Sequence, residues 1–277
     1  MTTTRPNTEK HSDPDPIVAY EAEVYQRGLR YQRPPFTFKP LEWEALAAER
    51  MSADARGYVL GCAGAGETAR KNREAFGRWS MVARRLGLGK PRRGGKEERG
   101  EVLLPDLSVD IFGEKLPYPI ACAPVGVQKI MNPDGEMAAA RAAARERVPF
   151  ILSTASSASI EDVAKANDSG AEQGQGRRKA ESVPPRGEKN RRKVHVLFDS
   201  GIRSGADIAK ALALGADMCL IGRPYVYGLV LGGEEGVAHV LRSLLGDLEL
   251  TLHLSGIRSV APEELNESVL VKEDELF

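Results

Sequence analysis

The chain has 277 residues, 42% of them hydrophobic and 28% charged, with 39 basic and 39 acidic side chains. That balance describes an ordinary globular composition and gives no net field to favour nucleic acid or a membrane surface. No segment is long and apolar enough to span a bilayer. The polar start, Met1 to Pro16, is unlike a signal or transit peptide.

Residues 1–16 read as disordered. A helical pattern runs from Ile17 to Leu29 and stops at Pro34-Pro35. A second helix is expected from about Leu41 to Leu60 and a third from Glu67 to Leu86. Gly87 to Gly100, with Lys90, Arg92, Arg93, Lys96 and Arg99, reads as a charged surface loop. Pro119 to Val125 is a short apolar run ending in Pro124-Val125-Gly126, hence a buried strand and a loop. Gly135 to Arg147 is an alanine-rich helix. Phe150 to Leu152 reads as a strand, followed by the small polar loop Ser153–Ser159. Ser159 with Asp162 looks like a capping box opening a helix to Ala166. From Asp168 to Lys193 large apolar residues almost vanish, and such a segment cannot offset its ordering entropy; a disordered linker is expected. Its basic triplets, Arg177-Arg178-Lys179 and Arg191-Arg192-Lys193, have no aromatic residue beside them for stacking on bases, so they read as solvated charge.

The strand–helix rhythm resumes at Val194. Strands are expected at Val194–Phe198 and Met218–Ile221, with a helix from Ala206 to Leu214 between them. Each strand ends in a glycine loop: Asp199-Ser200-Gly201-Ile202-Arg203 and Gly222-Arg223. Glycines allow close backbone approach, helix starts favour anions, and Arg203 and Arg223 can add charge-assisted contacts. Loops after strands 7 and 8 form the usual phosphate site of (β/α)8 barrels, so a phosphate-bearing cofactor is expected. The last helix, about Gly233 to Ser255, carries an apolar stripe from Val237 to Leu252. Residues 261–277 read as a tail. Its Lys272-to-Leu276 string resembles an endoplasmic-reticulum retention signal, but Phe277 follows it, and a peroxisomal ending is absent too.

Alternating strands and helices imply a parallel sheet, yet four strands are half of a closed barrel. Cys122 and Cys219 lie in apolar strands and read as reduced core residues, which fits a cytoplasmic location; with Cys62 they match no metal spacing. Among the histidines, His11 falls in the disordered start. His195 begins its strand, about 13 Å from the loop end at ~3.3 Å per residue. His239 and His253 border the apolar stripe of the last helix. None suits a catalytic base, which must lie within hydrogen-bond reach of its proton.

The chain resembles the FMN-dependent α-hydroxy-acid oxidising enzymes, closest to fungal lactate 2-monooxygenase-type members. One block covers about 17–167, through Tyr58-Val59-Leu60-Gly61-Cys62-Ala63-Gly64, Asn72-Arg73-Glu74-Ala75-Phe76, Ala123-Pro124-Val125-Gly126 and Leu152-Ser153-Thr154-Ala155-Ser156-Ser157. The other covers 194–259 through the two glycine loops. The resemblance implies an α/β TIM barrel reduced to strands 1, 2, 7 and 8, behind an N-terminal helical segment (17–117, including the charged loop). The half-barrel blocks would be 118–167 and 194–260, separated by the 168–193 linker. It implies FMN as cofactor and a small 2-hydroxy acid as ancestral substrate. Ala123, Pro124, Val125 and Gly126 would face the flavin ring and Ser153 would hydrogen-bond it. Asp199, Ser200, Gly201, Ile202, Arg203, Gly222 and Arg223 would hold the phosphate end. Tyr58 would touch the substrate carboxylate or the oxo group formed from it. Cys62 stands where the family usually has glycine.

The family's strands 3 to 6 have no counterpart here. They would carry a glutamine and a threonine on the flavin, a substrate-binding arginine, a lysine beside flavin N1, and a Ser-Asn-His-Gly-Gly-Arg run holding the catalytic base. The expected chain is therefore a family member with impaired oxidation. The alternative is a non-catalytic remnant, an interaction protein, or a truncated gene reading that skips coding sequence. Open sheet edges invite either pairing into a homo-oligomer or, through lost burial, a partly molten chain that aggregates.

Overall fold

A computed structural model describes residues 18–83, 104–173 and 194–275. The expectations for 1–16, His11, Gly87–Gly100, the two basic triplets and Phe277 lie outside the described residues.

Helix α1 spans Val18–Gly28, α2 Pro40–Arg50, α3 Ala53–Leu60 and α4 Glu67–Gly77. The single helix expected over Leu41–Leu60 is two. Ser52 is extended, and its hydroxyl accepts from the Ala55 backbone N–H at 3.2 Å, opening α3 as a new N-cap. The helix expected to reach Leu86 stops at Gly77. Strand β1 (Trp79–Met81) follows and pairs antiparallel with β7 (Leu270–Lys272), Trp79 opposite Lys272. The supposed tail is therefore structural: Leu265, Val269 and Leu270 are buried. Strands β2 (Val109–Ile111) and β3 (Glu114–Leu116) form a hairpin that the sequence reading also missed. Its turn residues, Phe112 and Gly113, both have positive φ, 54° and 89°, as a type I′ hairpin turn demands.

The central sheet is parallel. Strand β4 (Ile120–Cys122) and strand β5 (Leu197–Asp199) flank β6 (Met218–Ile221). The expected strand at Phe150–Leu152 joins β4 through one parallel bridge, Cys122 to Phe150. The order across the arc is thus Phe150 segment, β4, β6, β5. Side chains alternate faces along each strand. Ile120, Cys122, Cys219 and Ile221 enter the main core with the helices. Ala121 and Met218 face the other way with half-buried Ile151, Leu197 and Leu220, against Val109, Ile111 and Leu116 of the hairpin.

Helix α5 spans Gly135–Arg145, α6 Ile160–Gln173, α7 Gly205–Ala213 and α8 Arg223–Leu254. Two expectations change here. Residues 168–173 belong to α6 rather than to a linker: a Cβ on Gly170 would lie 2.3 Å from the Arg141 carbonyl oxygen, so the small residue permits a tight α5–α6 approach. The terminal helix begins at Arg223 rather than Gly233 and kinks at Gly232–Gly233.

His239 lies in the core, 1% exposed, among the rings of Tyr20, Phe36, Phe38 and Trp43. The Tyr20 hydroxyl sits 2.7 Å from its Nδ1. Burial lowers its pKa from 6.5; the Thr37 carbonyl pulls the other way and Arg242 adds to the fall. The folded chain therefore binds fewer protons here than the unfolded one. Stability from this group is full above about pH 6.5 and is lost as pH falls toward the folded value. Thermal unfolding of the parent and of His239→Asn should show a steeper acid-side loss in the parent. Parallel curves would refute the assignment.

Candidate functional site

Because the sheet is parallel, the carboxyl ends of its strands meet on one side. After β4, Ala123 donates its N–H to the Ile221 carbonyl at 2.9 Å. Its own carbonyl accepts from the Tyr225 hydroxyl at 3.0 Å. Gln128, wholly buried, donates to the Val125 carbonyl at 3.0 Å. Glu136, wholly buried on α5, accepts from the Gln128 N–H, the Ser157 N–H and the Ser157 hydroxyl at 3.1, 2.8 and 2.6 Å. Burial alone would raise the Glu136 pKa, but those hydrogen bonds outweigh it and hold the carboxyl below its ordinary value. One carboxylate thus fixes the loops after two neighbouring strands. The sequence reading missed Gln128, Glu136 and Tyr225; for Glu136, an acid just ahead of the alanine-rich run Ala138–Ala143 was the available signal.

Gly126 is wedged where a Cβ would lie 2.8 Å from the Ala155 methyl and 3.2 Å from the Tyr58 hydroxyl. Tyr58, 49% exposed, therefore stands beside the Ala123–Gly126 loop. Ser153 accepts from the Ala155 N–H at 3.1 Å.

After β5, exposed Asp199 accepts from the Ser200 N–H at 2.6 Å. Ser200 and Gly201 both have positive φ, 92° and 86°, a strained backbone for serine. Ser204 and Asp207 form a capping box at the start of α7. Asp247 adds an acceptor for the Gly205 N–H at 2.5 Å; burial raises its pKa against the pull of the Gly205 and Ala206 amides. Arg203 is 8% exposed. Its Nη1 donates to its neighbour's carbonyl, on Ile202, at 2.9 Å, its Nη2 lies 3.7 Å from Glu44, and its buried Nε has no partner. Burial lowers its pKa, partly offset by Tyr227 and Glu44. With Arg73, Glu44 and Leu60 it lines a cavity of about 250 Å³.

After β6, Gly222 starts α8 without a side-chain cap. Arg223 turns toward α3, donating to the carbonyls of Val59 at 2.9 Å and Gly61 at 3.1 Å, with the Cys62 sulfur at 3.8 Å. It caps the C-terminus of the helix that carries Tyr58. The expected phosphate ligand is thus also the tether that brings Tyr58 to the strand ends.

The described histidines do not join this group. His195 Nε2 accepts from the Phe112 N–H at 3.3 Å, beside the hairpin. His239 is caged in the core and His253 lies in the last turn of α8. Cys122 and Cys219 are buried free thiols, and burial pushes Cys122 up to about 12. Among the described residues no cluster suits a metal ion and no helix is long and apolar enough to cross a membrane.

The α/β fold with its few parallel strands is consistent with an incomplete TIM barrel, and its solved structural neighbours are TIM-barrel flavoenzymes. A soluble mutant of the membrane-associated (S)-mandelate dehydrogenase from Pseudomonas putida is 23% identical, with a TM-score of 0.65 over 86% of this chain and all of its own (100%). The FMN-dependent dehydrogenase family model matches residues 47–181 and 180–272, and the chain belongs to that family, whose members depend on FMN. An FMN-dependent alpha-hydroxy acid dehydrogenase of Schizosaccharomyces pombe is 35% identical over 407 aligned positions, covering 93% of this chain and 97% of that protein. L-lactate oxidase of Lysinibacillus sphaericus is 24% identical, covering 92% and 97%. An alignment of 407 positions on a chain of 277 residues shows a truncated member. The two family matches meet at residues 180–181.

Proposed function

We propose that this chain derives from an FMN-dependent α-hydroxy-acid oxidising enzyme, retains its flavin-phosphate end, and is impaired in oxidation. The arc is read as barrel strands 2, 1, 8 and 7 in spatial order, with half-barrel blocks at 118–167 and 194–260. The observation carrying the reading is the convergence of Asp199–Arg203 and Gly222–Arg223 at one end of the sheet, with no histidine among the described residues there.

The residues fit the phosphate end of FMN. The start of α8 lacks a side-chain cap and the Arg203 Nε lacks a partner, and both would favour an anion. Ala123 to Gly126 would offer backbone groups to the ring, held in place by Tyr225, Gln128 and Glu136. Ser153 would add a hydroxyl, and Tyr58 would orient the substrate carboxylate. FMN, when bound, would supply the acceptor for the hydride of a small 2-hydroxy acid. The chain would still have to take the hydroxyl proton, and no histidine among the described residues is placed at the strand ends to do so. That favours the second reading, a non-catalytic remnant or interaction protein, and equally a gene reading that skips coding sequence. Sequencing the transcript across 167–193 separates these: a recovered His-Gly-Gly-Arg segment would make the remnant an artefact. The buried reduced cysteines suit a cytoplasmic setting.

Flavin titration followed by fluorescence quenching tests the cofactor claim. The purified protein should be colourless and bind FMN weakly. Arg203→Ala should weaken that binding about tenfold or more, since a hydrogen bond to a charged group contributes about 1.5–3 kcal/mol. A yellow preparation with stoichiometric flavin would refute the reading.

A further inference from the structure

We propose that two copies of this chain close one eight-stranded parallel barrel about a two-fold axis running along the strands. The inference rests on the observed strand order, and on the proposed function only for taking eight strands as the closed number.

Among the described residues the arc has two unlike unpaired edges, the Phe150 segment on one side and β5 on the other. A parallel strand pairs with a neighbour through opposite edges, so the free edge of one meets the free edge of the other without reversing direction. In an eight-stranded barrel, four strands occupy about half a turn. Rotating a second copy by half a turn therefore sets its β5 beside the first copy's Phe150 segment. The same operation sets the first copy's β5 beside the second copy's Phe150 segment. Both contacts close together and no edge is left over. A head-to-tail contact of another rotation would instead propagate into a filament.

The concave face fits this arrangement. Ile151, Leu197 and Leu220 are only half-buried, and the hairpin β2–β3 packs on the same cluster. Barrel interiors are filled by such branched inward side chains from successive strands, and a second arc would supply the missing ones. Beside β5, Val194 and Val196 are 71% and 47% exposed, an apolar approach to the edge that would otherwise face water.

Sedimentation equilibrium on the full chain tests the stoichiometry. The expected mass is twice 30.1 kDa. Edge pairing is tested in a Cys62→Ser background by mixing Ile151→Cys with Leu197→Cys under mild oxidation. The mixture should give a disulfide-linked dimer. Neither variant alone should, because like positions then lie across the barrel, beyond the ~7 Å Cα limit of a disulfide. A monomer at every concentration, a polydisperse aggregate, a dimer whose mixture fails to link, or a bond formed by one variant alone would each overturn the proposal. FMN binding is read separately: a dimer that ignores FMN defeats only the proposed function, and a monomer that binds it defeats only this inference.

Discussion

Incubated without oxygen, with excess FMN and lactate, glycolate or mandelate, the purified chain should leave the flavin oxidised. Oxidising a 2-hydroxy acid requires a base within hydrogen-bond reach of the hydroxyl, and a positioned base alone contributes about 10²–10⁴-fold. The described histidines are committed elsewhere: His195 to the hairpin, His239 to Tyr20 in an aromatic cage, His253 to the end of α8. A cation must also hold the substrate carboxylate. Arg203 is sunk beside Glu44 and the Ile202 carbonyl, and Arg223 is spent on the carbonyls closing α3. Losing base and clamp together should put turnover below detection. Loss of the flavin's visible absorbance with any of the three acids, above a control lacking protein, would sink the claim.

The parts legible in the sequence are those encoded locally. Strand β6 lies where its apolar run placed it, and α7 falls within one residue of its expected bounds, because Ser204, Asp207 and Gly215 mark its ends. The pairing of β1 with β7 joins Trp79 to Lys272. Three-residue strands carry no periodicity, so only tertiary contact reveals them. Small residues misled in one direction. Ser169-Gly170-Ala171 reads as the start of a linker, yet Gly170 is where α6 presses on the Arg141 backbone. The start of α8 had a signal that went unused: Pro224 suits a first helical turn, and Gly232-Gly233 marks the kink. At the candidate site, the two glycine loops were legible as loops at strand ends from their glycines. The acceptors that Arg203 and Arg223 meet in the fold were not, since Glu44, Val59 and Gly61 come from helices far away in the sequence.

The same blindness to close backbone contact sets the largest expected stability effect. The two limbs of α8 fold back on each other where Gly228 meets Gly236. A Cβ on Gly236 would lie 2.0 Å from the Gly228 carbonyl oxygen, and one on Gly228 would lie 2.5 Å from the Gly236 oxygen. Both obstacles are backbone, so no side chain can rotate aside. Gly236→Ala must push the limbs apart, breaking the contact of Val237, Val240 and Leu241 with the core. Overpacking typically costs about 1–3 kcal/mol where side chains can adjust; here the upper end or beyond is expected, against a total margin of about 5–15 kcal/mol. The unfolding midpoint should fall by roughly 10 °C, at ~2–4 °C per kcal/mol for a domain of this size. Gly57→Ala is the control. It sits inside α3 with nothing within 4 Å of a new Cβ, and alanine favours a helix interior over glycine by about 1 kcal/mol. Thermal unfolding at one protein concentration should show Gly57→Ala at or above the parent midpoint and Gly236→Ala far below it. A Gly236→Ala protein that melts with the parent would show that the two limbs of α8 do not cross at these glycines.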